Sequence, residues 1–432
     1  MITQNNDILI KNLSRRDSAH IWHPYTQMHQ ADPAIPIVRG EGAYLYAADG
    51  KRYIDAISSW WVNIHGHAHP YIAEKLYAQF RQLEHVIFAG FTHPPAIALA
   101  ERLLHLLPSL QTKAFFSDNG STAVEVALKM CVQYWFNRGI PKRKVLALKD
   151  AYHGDTFGAM SVSGRSKWTV PFENFMFDVC FIDRPNSQNI HAIMEFISQE
   201  QHTLACFIYE PLVQGAAGML MYETSPLNML MHHCRALDVL LVQDEVFTGF
   251  GRTGKLFAAN HLKEQADIMC FSKGLTGGAL PLGLTTCTDN IYQAFLSNDN
   301  HKTLFHGHSF TANPLACTAA LASLDLLLSE HTQRRIQYIS RKHSSFAANI
   351  SNHPKVKAVR YNGTIFALEW ETGEETSYFN TYRNQLYHYF LNQGLLLRPL
   401  GNVIYILPPY CISDEDLAFI YQTIKHALDD LE

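Results

Sequence analysis

Seven short apolar runs, spread over residues 95–325 and separated by stretches of helical pattern, constrain the fold of this chain more than any other feature. The runs are Ala114–Ser117, Val145–Leu148, Val179–Ile182, Cys206–Tyr209, Leu240–Gln243, Ile268–Phe271 and Leu282–Cys287. Each is long enough for a strand and too short for a helix. The segments Thr122–Phe136, Asn189–Glu200 and Ser225–Leu237 between them carry helical periodicity. Strands buried on both faces read as continuous apolar runs, and parallel neighbours need long crossover connections. The expectation is an α/β fold with a mostly parallel sheet covered on both faces.

Both chain ends have a different texture. The first twenty or so residues read as an amphipathic helix, with Ile8, Leu9 and Leu13 against Lys11, Arg15 and Arg16. Residues 42–57 read as a hairpin, because two alternating runs flank the tight-turn pair Asp49-Gly50. After residue 325 a long helical stretch, Asp325–Ile350, leads to strand-like runs Val356–Tyr361, Ile365–Glu369 and Val403–Leu407. A last helix opens on Ser413-Asp414-Glu415-Asp416, good capping chemistry. The predicted organisation is a large cofactor-binding domain over residues 61–325. A smaller α+β domain is assembled from residues 1–60 and 326–432.

Composition narrows the function classes. Lys plus Arg number 35 and Asp plus Glu 39, a net charge of −4, so there is no basic excess for nucleic acid. With 47% hydrophobic residues the chain is too apolar to be disordered. No run of 18 apolar residues exists, so no membrane span is expected. Met1–Asp7 lacks the basic and apolar regions of a secretory leader. The eight cysteines form no C-x-x-C pair and sit mostly in apolar runs such as Ala205-Cys206-Phe207-Ile208. That is the usage of buried, reduced thiols, and a cytoplasmic location is expected.

The chemistry concentrates at strand ends, where open α/β sheets bind ligands. Leu240–Gln243 ends in Asp244-Glu245, and Ile268–Phe271 runs into Ser272-Lys273-Gly274. Alone, such an acid is as readily a turn former, and such a lysine is most often a solvated surface charge. Together they match what pyridoxal phosphate requires: an amine to condense with its aldehyde and an acid to keep its ring nitrogen protonated. Ser117-Asp118-Asn119-Gly120-Ser121-Thr122 precedes a helical run. It is either an ordinary N-cap or a phosphate cradle, in which Gly120 permits close approach and Ser121 and Thr122 add hydroxyls.

Two further patterns read as less than they resemble. Gly249-Phe250-Gly251-Arg252-Thr253-Gly254 has the glycine spacing of a dinucleotide fingerprint, which would make the chain a nicotinamide-dependent dehydrogenase. The preceding strand ends at Asp244 rather than at the first glycine, no long amphipathic helix follows, and no acidic strand end comes at the required distance. His65-Gly66-His67-Ala68-His69 has the look of a metal tract. No second ligand cluster accompanies it, and Gly66 and Pro70 argue for a turn, so no metal is expected.

These segments resemble the class III, fold type I aminotransferases over about residues 20–430. The matching motifs are Asp118-Asn119-Gly120-Ser121 with Glu125 and Lys129, Tyr152-His153-Gly154, Glu210-Pro211-Leu212-Val213-Gln214-Gly215, Asp244 to Gly254, and Ser272-Lys273-Gly274. Ile21-Trp22-His23-Pro24-Tyr25-Thr26, Ser58-Ser59-Trp60-Trp61, His65-Gly66-His67, His306-Gly307-His308-Ser309-Phe310 and Leu397-Arg398-Pro399-Leu400-Gly401-Asn402 narrow the match further. They resemble the branch that moves the α-amino group of S-adenosylmethionine to 8-amino-7-oxononanoate, giving 7,8-diaminononanoate in biotin synthesis. An ω-aminotransferase of the same class using another donor, such as lysine, is the alternative. Asn119 stands where serine is common, and Trp61 and His308-Ser309 where Tyr and Pro-Thr are often seen. The contact at residues 119–120 is mainly through backbone, and Ser309 keeps a hydroxyl.

The resemblance implies the following roles. Lys273 carries pyridoxal 5'-phosphate and shuttles a proton, with its amine pKa depressed in a desolvated, cation-rich site. Asp244 pairs with the ring nitrogen, and Tyr152 stacks on the ring face. Asn119, Gly120 and Ser121 hold the phosphate, and His308 and Ser309 complete it from a second subunit, so a homodimer with shared active sites is implied. Arg398 anchors a substrate carboxylate. Trp60, Trp61, Tyr25 and Gly307 line the substrate pocket, and Tyr25 hydrogen-bonds the substrate amine. A non-catalytic relative would not be expected to keep both Asp244 and Lys273.

Overall fold

The computed structural model describes residues 12–108, 110–378 and 380–431. All seven predicted strands join one sheet, in the order Gln111–Ser117, Gly283–Thr288, Ile268–Phe271, Leu240–Asp244, Leu204–Tyr209, Lys144–Leu148, Val179–Ile182. Leu204–Tyr209 and Leu240–Asp244 are buried at every position, which is why their sequences are continuously apolar rather than alternating. Gly283–Thr288 runs antiparallel to both neighbours, and the other pairings are parallel. Two antiparallel steps restore the direction, so Gln111–Ser117 points the same way as the five strands beyond. The Ser117 end therefore lies at the same sheet edge as Asp244.

The predicted helices form at Gly120–Asn137, Ile190–Glu200 and Thr224–Ala236. Gly120–Asn137 buries Ala123, Val124, Val126, Ala127, Met130 and Cys131 against the sheet. Several helices were not anticipated, among them Pro70–Gln82, Pro94–Leu106, Pro314–Leu327 and Tyr382–Asn392. The first two begin with proline directly after a histidine, a position where proline's missing N–H costs nothing.

Of the predicted stretch Asp325–Ile350, most forms helix Glu330–Ile350, while its first three residues end the separate helix Pro314–Leu327. The break lies at Leu328-Ser329, where Ser329 Oγ accepts the Thr332 amide at 3.2 Å and starts a new helix. Pro314–Leu327 buries Ala316, Cys317, Ala319, Ala320, Ala322 and Leu324. Apolar nearly all round, it has no polar face to reveal its period.

At the amino-terminal end residues 12–20 are helical, while Ile8, Leu9 and Lys11 lie outside the described residues. The hairpin is present as Tyr44–Ala47 against Arg52–Asp55, with Gly50 at φ +86° in its turn. Ile37–Glu41 flanks it on one side and Leu395–Leu396 on the other, the latter pairing parallel with Leu395 opposite Ile54. The two chain ends thus share a four-stranded sheet. Val356–Asn362, Ile365–Trp370 and Val403–Ile406 make a separate antiparallel sheet. Helix Asp414–Asp430 starts as predicted, with Ser413 Oγ accepting the Asp416 amide at 3.0 Å. All eight cysteines are free thiols. Among the described residues, no helix is long and apolar enough to cross a membrane.

Candidate active site

The carboxyl edge of the large sheet opens into a cavity of about 640 Å³. Six strand ends supply its floor and sides. Asp118, Asn119, Gly120 and Ser121 follow Gln111–Ser117, Tyr152 and His153 follow Lys144–Leu148, and Glu210 follows Leu204–Tyr209. Asp244 ends its strand, Lys273 follows Ile268–Phe271, and Leu282 precedes Gly283–Thr288. Asp244 and Lys273 come to one cavity because their strands are parallel neighbours in register, Asp244 opposite Cys270.

Asp244 is buried and its two oxygens are separately engaged. Oδ1 accepts the Val246 amide at 2.9 Å, and Oδ2 accepts His153 Nδ1–H at 2.7 Å. His153 Nε2 is buried and has no partner among the described residues. Glu245, the second acid of the pair, turns away from the cavity. Its carboxyl accepts the amides of Ala258 at 3.0 Å and Ala259 at 2.7 Å and hydroxyl and amide donors from Thr248 and Gln243, a purely internal set.

Lys273 has φ +48°, a left-handed conformation that costs a lysine roughly 1 kcal/mol. Its Nζ lies 4.4 Å from the centroid of Trp61 and 5.5 Å from that of Phe247. Burial lowers the amine pKa to about 8, as expected in direction. Of the two expected causes, desolvation holds and cation-rich surroundings do not. Asp244 and Glu210 raise the pKa, and of the nearby charges Arg252 alone lowers it. Loss of water, not a surplus of cations, does most of the work. Glu210 itself is fully enclosed, and burial raises its carboxyl to about 7. Its oxygens accept the Tyr152 and Gly215 amides, each at 3.0 Å.

The glycine segment has both features of its two readings. Asn119 caps helix Gly120–Asn137, with Oδ1 accepting the Thr122 amide at 2.9 Å. The Thr122 hydroxyl donates to Asp118 Oδ1 at 2.8 Å and accepts the Asn119 amide at 3.1 Å, so it belongs to the cap and not to the cavity. Ser121 Oγ faces the cavity wall and accepts the Thr156 amide at 3.0 Å. A Cβ on Gly120 would meet Val246 Cγ1 at 2.6 Å, so the backbone packs on Val246 as closely as only glycine allows.

Above this floor stands an aromatic wall. Trp61 is buried, donates Nε1–H to Tyr405 Oη at 3.0 Å, and packs on Phe247 at 4.6 Å between ring centroids. Trp60 is 39% exposed and lines the mouth, 5.7 Å from the Tyr25 ring. Arg398 stacks over the outer face of Trp60, its Cζ 4.4 Å from the centroid. Among the described residues no carboxylate lies within ion-pair reach of it. Tyr25 donates to Asp155, and its hydroxyl lies 3.1 Å from that of Tyr152. Burial, then Asp155, push its pKa up to about 12, so the phenol stays protonated. With its own proton committed to Asp155, the Tyr25 oxygen can only accept from a further partner.

Of the predicted pocket residues, Tyr25 and Arg398 border the cavity only through their contacts with Trp60. Gly307, His308 and Ser309 do not line it either. They lie in the loop before Pro314–Leu327, where His308 N donates to Thr311 Oγ1 and neighbouring Phe310 is 63% exposed. The Gly249–Gly254 segment makes tight turns, followed by only the short turn Ala258–His261. His65 and His67 bond Ser323 and Asp55, and among the described residues no cluster suited to a metal ion occurs. Sequence reasoning missed Asp155 as a partner of Tyr25, and it gave no role to His153 or Glu210 although both stood inside recognised motifs.

The model of the family "Aminotransferase class-III" matches residues 25–428. An adenosylmethionine-8-amino-7-oxononanoate aminotransferase from Synechococcus elongatus is 46% identical over 424 residues, 95% of this chain and 99% of the relative. The crystal structure of the enzyme of that name from Methanocaldococcus jannaschii superposes with a TM-score of 0.93 at 35% identity, covering 97% of this chain and 99% of the other. An omega transaminase from Pseudomonas jessenii, solved in complex with PMP, superposes with a TM-score of 0.90 at 26% identity, covering 97% and 98%.

Proposed function

The chain belongs to the class III aminotransferases, which depend on pyridoxal 5'-phosphate, and from that premise we propose that it transfers the α-amino group of S-adenosylmethionine to 8-amino-7-oxononanoate, giving 7,8-diaminononanoate for biotin synthesis. The observation that carries this reading is the full-length likeness to relatives of that name, 46% in the Synechococcus elongatus protein.

The residues of the cavity fit the cofactor. Gly120 and Ser121 sit in the first turn of a helix, where amides have no acceptor within the helix and the dipole favours a phosphate. Val246 against Gly120 excludes a side chain there. Asp244 presents a buried carboxylate, fixed by His153, to a ring nitrogen. Asn119, Gly120 and Ser121 hold the phosphate and Tyr152 faces the ring. We read residues 61–325 as the unit that holds the cofactor. The bound cofactor supplies the aldehyde that takes up the amino group and a ring that stores an electron pair.

The chain's own groups do the rest. Lys273 Nζ, neutral above a pH of about 8, takes the proton from the amine-bearing carbon of the substrate and returns one in the second half-reaction. Its partial desolvation keeps the base close to working pH. Arg398, with no carboxylate partner among the described residues, takes the substrate carboxylate bidentately. Trp60, Trp61 and Tyr25 enclose the hydrocarbon chain and can face a sulfonium by cation–π attraction. Tyr25 accepts from the substrate amine. His308 and Ser309 reach the phosphate of a partner subunit, with Gly307 at its substrate side, which makes a homodimer the working unit. The enzyme acts in the cytoplasm on these small molecules.

The test is a donor screen on the purified, cofactor-loaded protein. S-adenosylmethionine should bleach the visible cofactor absorbance, and 8-amino-7-oxononanoate should restore it. Bleaching by lysine but not by S-adenosylmethionine would reassign the donor.

A further inference from the structure

We propose that His67, acting through Asp55, is a positioning residue for the aromatic wall of the substrate pocket. The proposal rests on the reading of Trp60 and Trp61 as that wall, and it gives a task to the histidine tract that the reaction itself does not use.

The wall is built from strained backbone. Ser58, Ser59 and Trp61 have φ of +51°, +58° and +69°, three left-handed non-glycine residues within four positions. Such conformations persist only where the surroundings impose them. Before Trp60 the restraint is the carboxylate of Asp55, which is fully buried. Ser59 N donates to both of its oxygens, at 2.8 and 2.7 Å, and Ser59 Oγ donates to Oδ2 at 3.0 Å. Ile57 N adds a longer contact at 3.3 Å. Asp55 thus gathers the backbone immediately before Trp60.

That carboxylate is itself held from outside the segment by one donor among the described residues. His67 Nε2–H donates to Asp55 Oδ2 at 2.8 Å. A carboxylate can only accept, so the ring proton must lie on Nε2. The imidazole has little freedom. His67 N donates to Gly42 O at 2.7 Å, and Gly42 N returns a bond to His67 O at 3.1 Å. Position 40 must be glycine, because a Cβ there would stand 2.7 Å from His67 Cβ. The chain of restraint runs from Ile37–Glu41 and Gly42 to His67, to Asp55, to Ser59, and so to Trp60 and Trp61. His67, Asp55 and Ser59 do not line the cavity, and the chain meets Lys273 only at its last member, the Trp61 ring 4.4 Å from Nζ.

The expected signature separates positioning from general stability. His67→Ala should raise KM for 8-amino-7-oxononanoate about tenfold, the worth of one hydrogen bond to a buried charge, with kcat and cofactor affinity changed less than about twofold. In the cofactor-loaded protein labelled with 5-fluorotryptophan, the Trp60 and Trp61 fluorine resonances, assigned with Trp60→Phe and Trp61→Phe, should broaden or split while the other four stay fixed. Unmoved Trp60 and Trp61 resonances, or a uniform change in all six, would overturn the proposal. So would an unchanged KM with only a lower melting temperature. If His67→Ala does not fold, His67→Gln, with its longer and looser donor, takes the same measurements. A Trp60→Ala variant with unaltered KM would instead sink the pocket reading, and the fluorine spectra would still decide the positioning role.

Discussion

Lys273 and Asp244 sit at adjoining strand ends, and their surroundings make different demands. Replacing Lys273 with Ala removes the base and the covalent anchor together. Turnover should fall by about 10⁴-fold or more, while cofactor still binds and is released by dialysis. Retained turnover in a stopped assay would refute the role. Arg398→Ala should raise substrate KM about 10–100-fold, as loss of a bidentate charged contact does, with cofactor affinity within about threefold. Equal loss of both would mark a structural arginine. Glu210 gives a pH test. Its folded pKa, about 7, lies above the ordinary carboxyl value, so its favourable contribution is complete at low pH and is lost as pH rises toward 7. Glu210→Gln lacks that loss. Its melting temperature relative to the parent should therefore climb between pH 5 and 7, and a flat difference would contradict the burial argument. Lys273 and Asp244 were legible in the sequence because a charge ending an apolar run stands out. His153, Glu210 and Asp155 were not, because their partners lie 91, 58 and 130 residues away.

Elements follow the same logic of what a local pattern can show. Seven strands and three helices of the large sheet layer were legible, since burial on both faces writes itself as an apolar run. The Pro314–Leu327 helix was not, because it is apolar all round, and the break before Glu330 rests on one serine cap. The left-handed turns at Ser58–Trp61 carry no glycine and so no signal at all. Helix Gly120–Asn137 makes a sharp prediction for the phosphate end of the site. In Gly120→Ala the new methyl meets Val246 at 2.6 Å, and either it or the helix must move. Such overpacking costs about 1–3 kcal/mol, so cofactor affinity should drop at least tenfold with a lower melting temperature. Unchanged affinity in a cofactor titration would mean that the phosphate lies elsewhere.

For the whole molecule, the loop at Gly307–Ser309 is the part that its own cavity does not use. If it serves a partner subunit, two crippled chains can repair each other. Lys273→Ala and a His308→Ala/Ser309→Ala variant, unfolded and refolded together in equal amounts, should recover roughly a quarter of parental activity, since half the dimers carry one intact site. No recovery would place the loop's function within its own chain.

The sheet shared by the two chain ends has a consequence for the order of assembly. The proposed substrate wall leans on residues made much later: Ala56 N bonds Leu396 O, Ser58 Oγ bonds Leu407 O, and Trp61 Nε1 bonds Tyr405. Contacts between residues more than 300 positions apart form late and slowly. During synthesis the cofactor floor, complete by Gly283–Thr288, can close while the mouth is still open. If Trp60 and Trp61 wall the substrate pocket, the polypeptide becomes selective for its substrate only after Leu407 has left the ribosome.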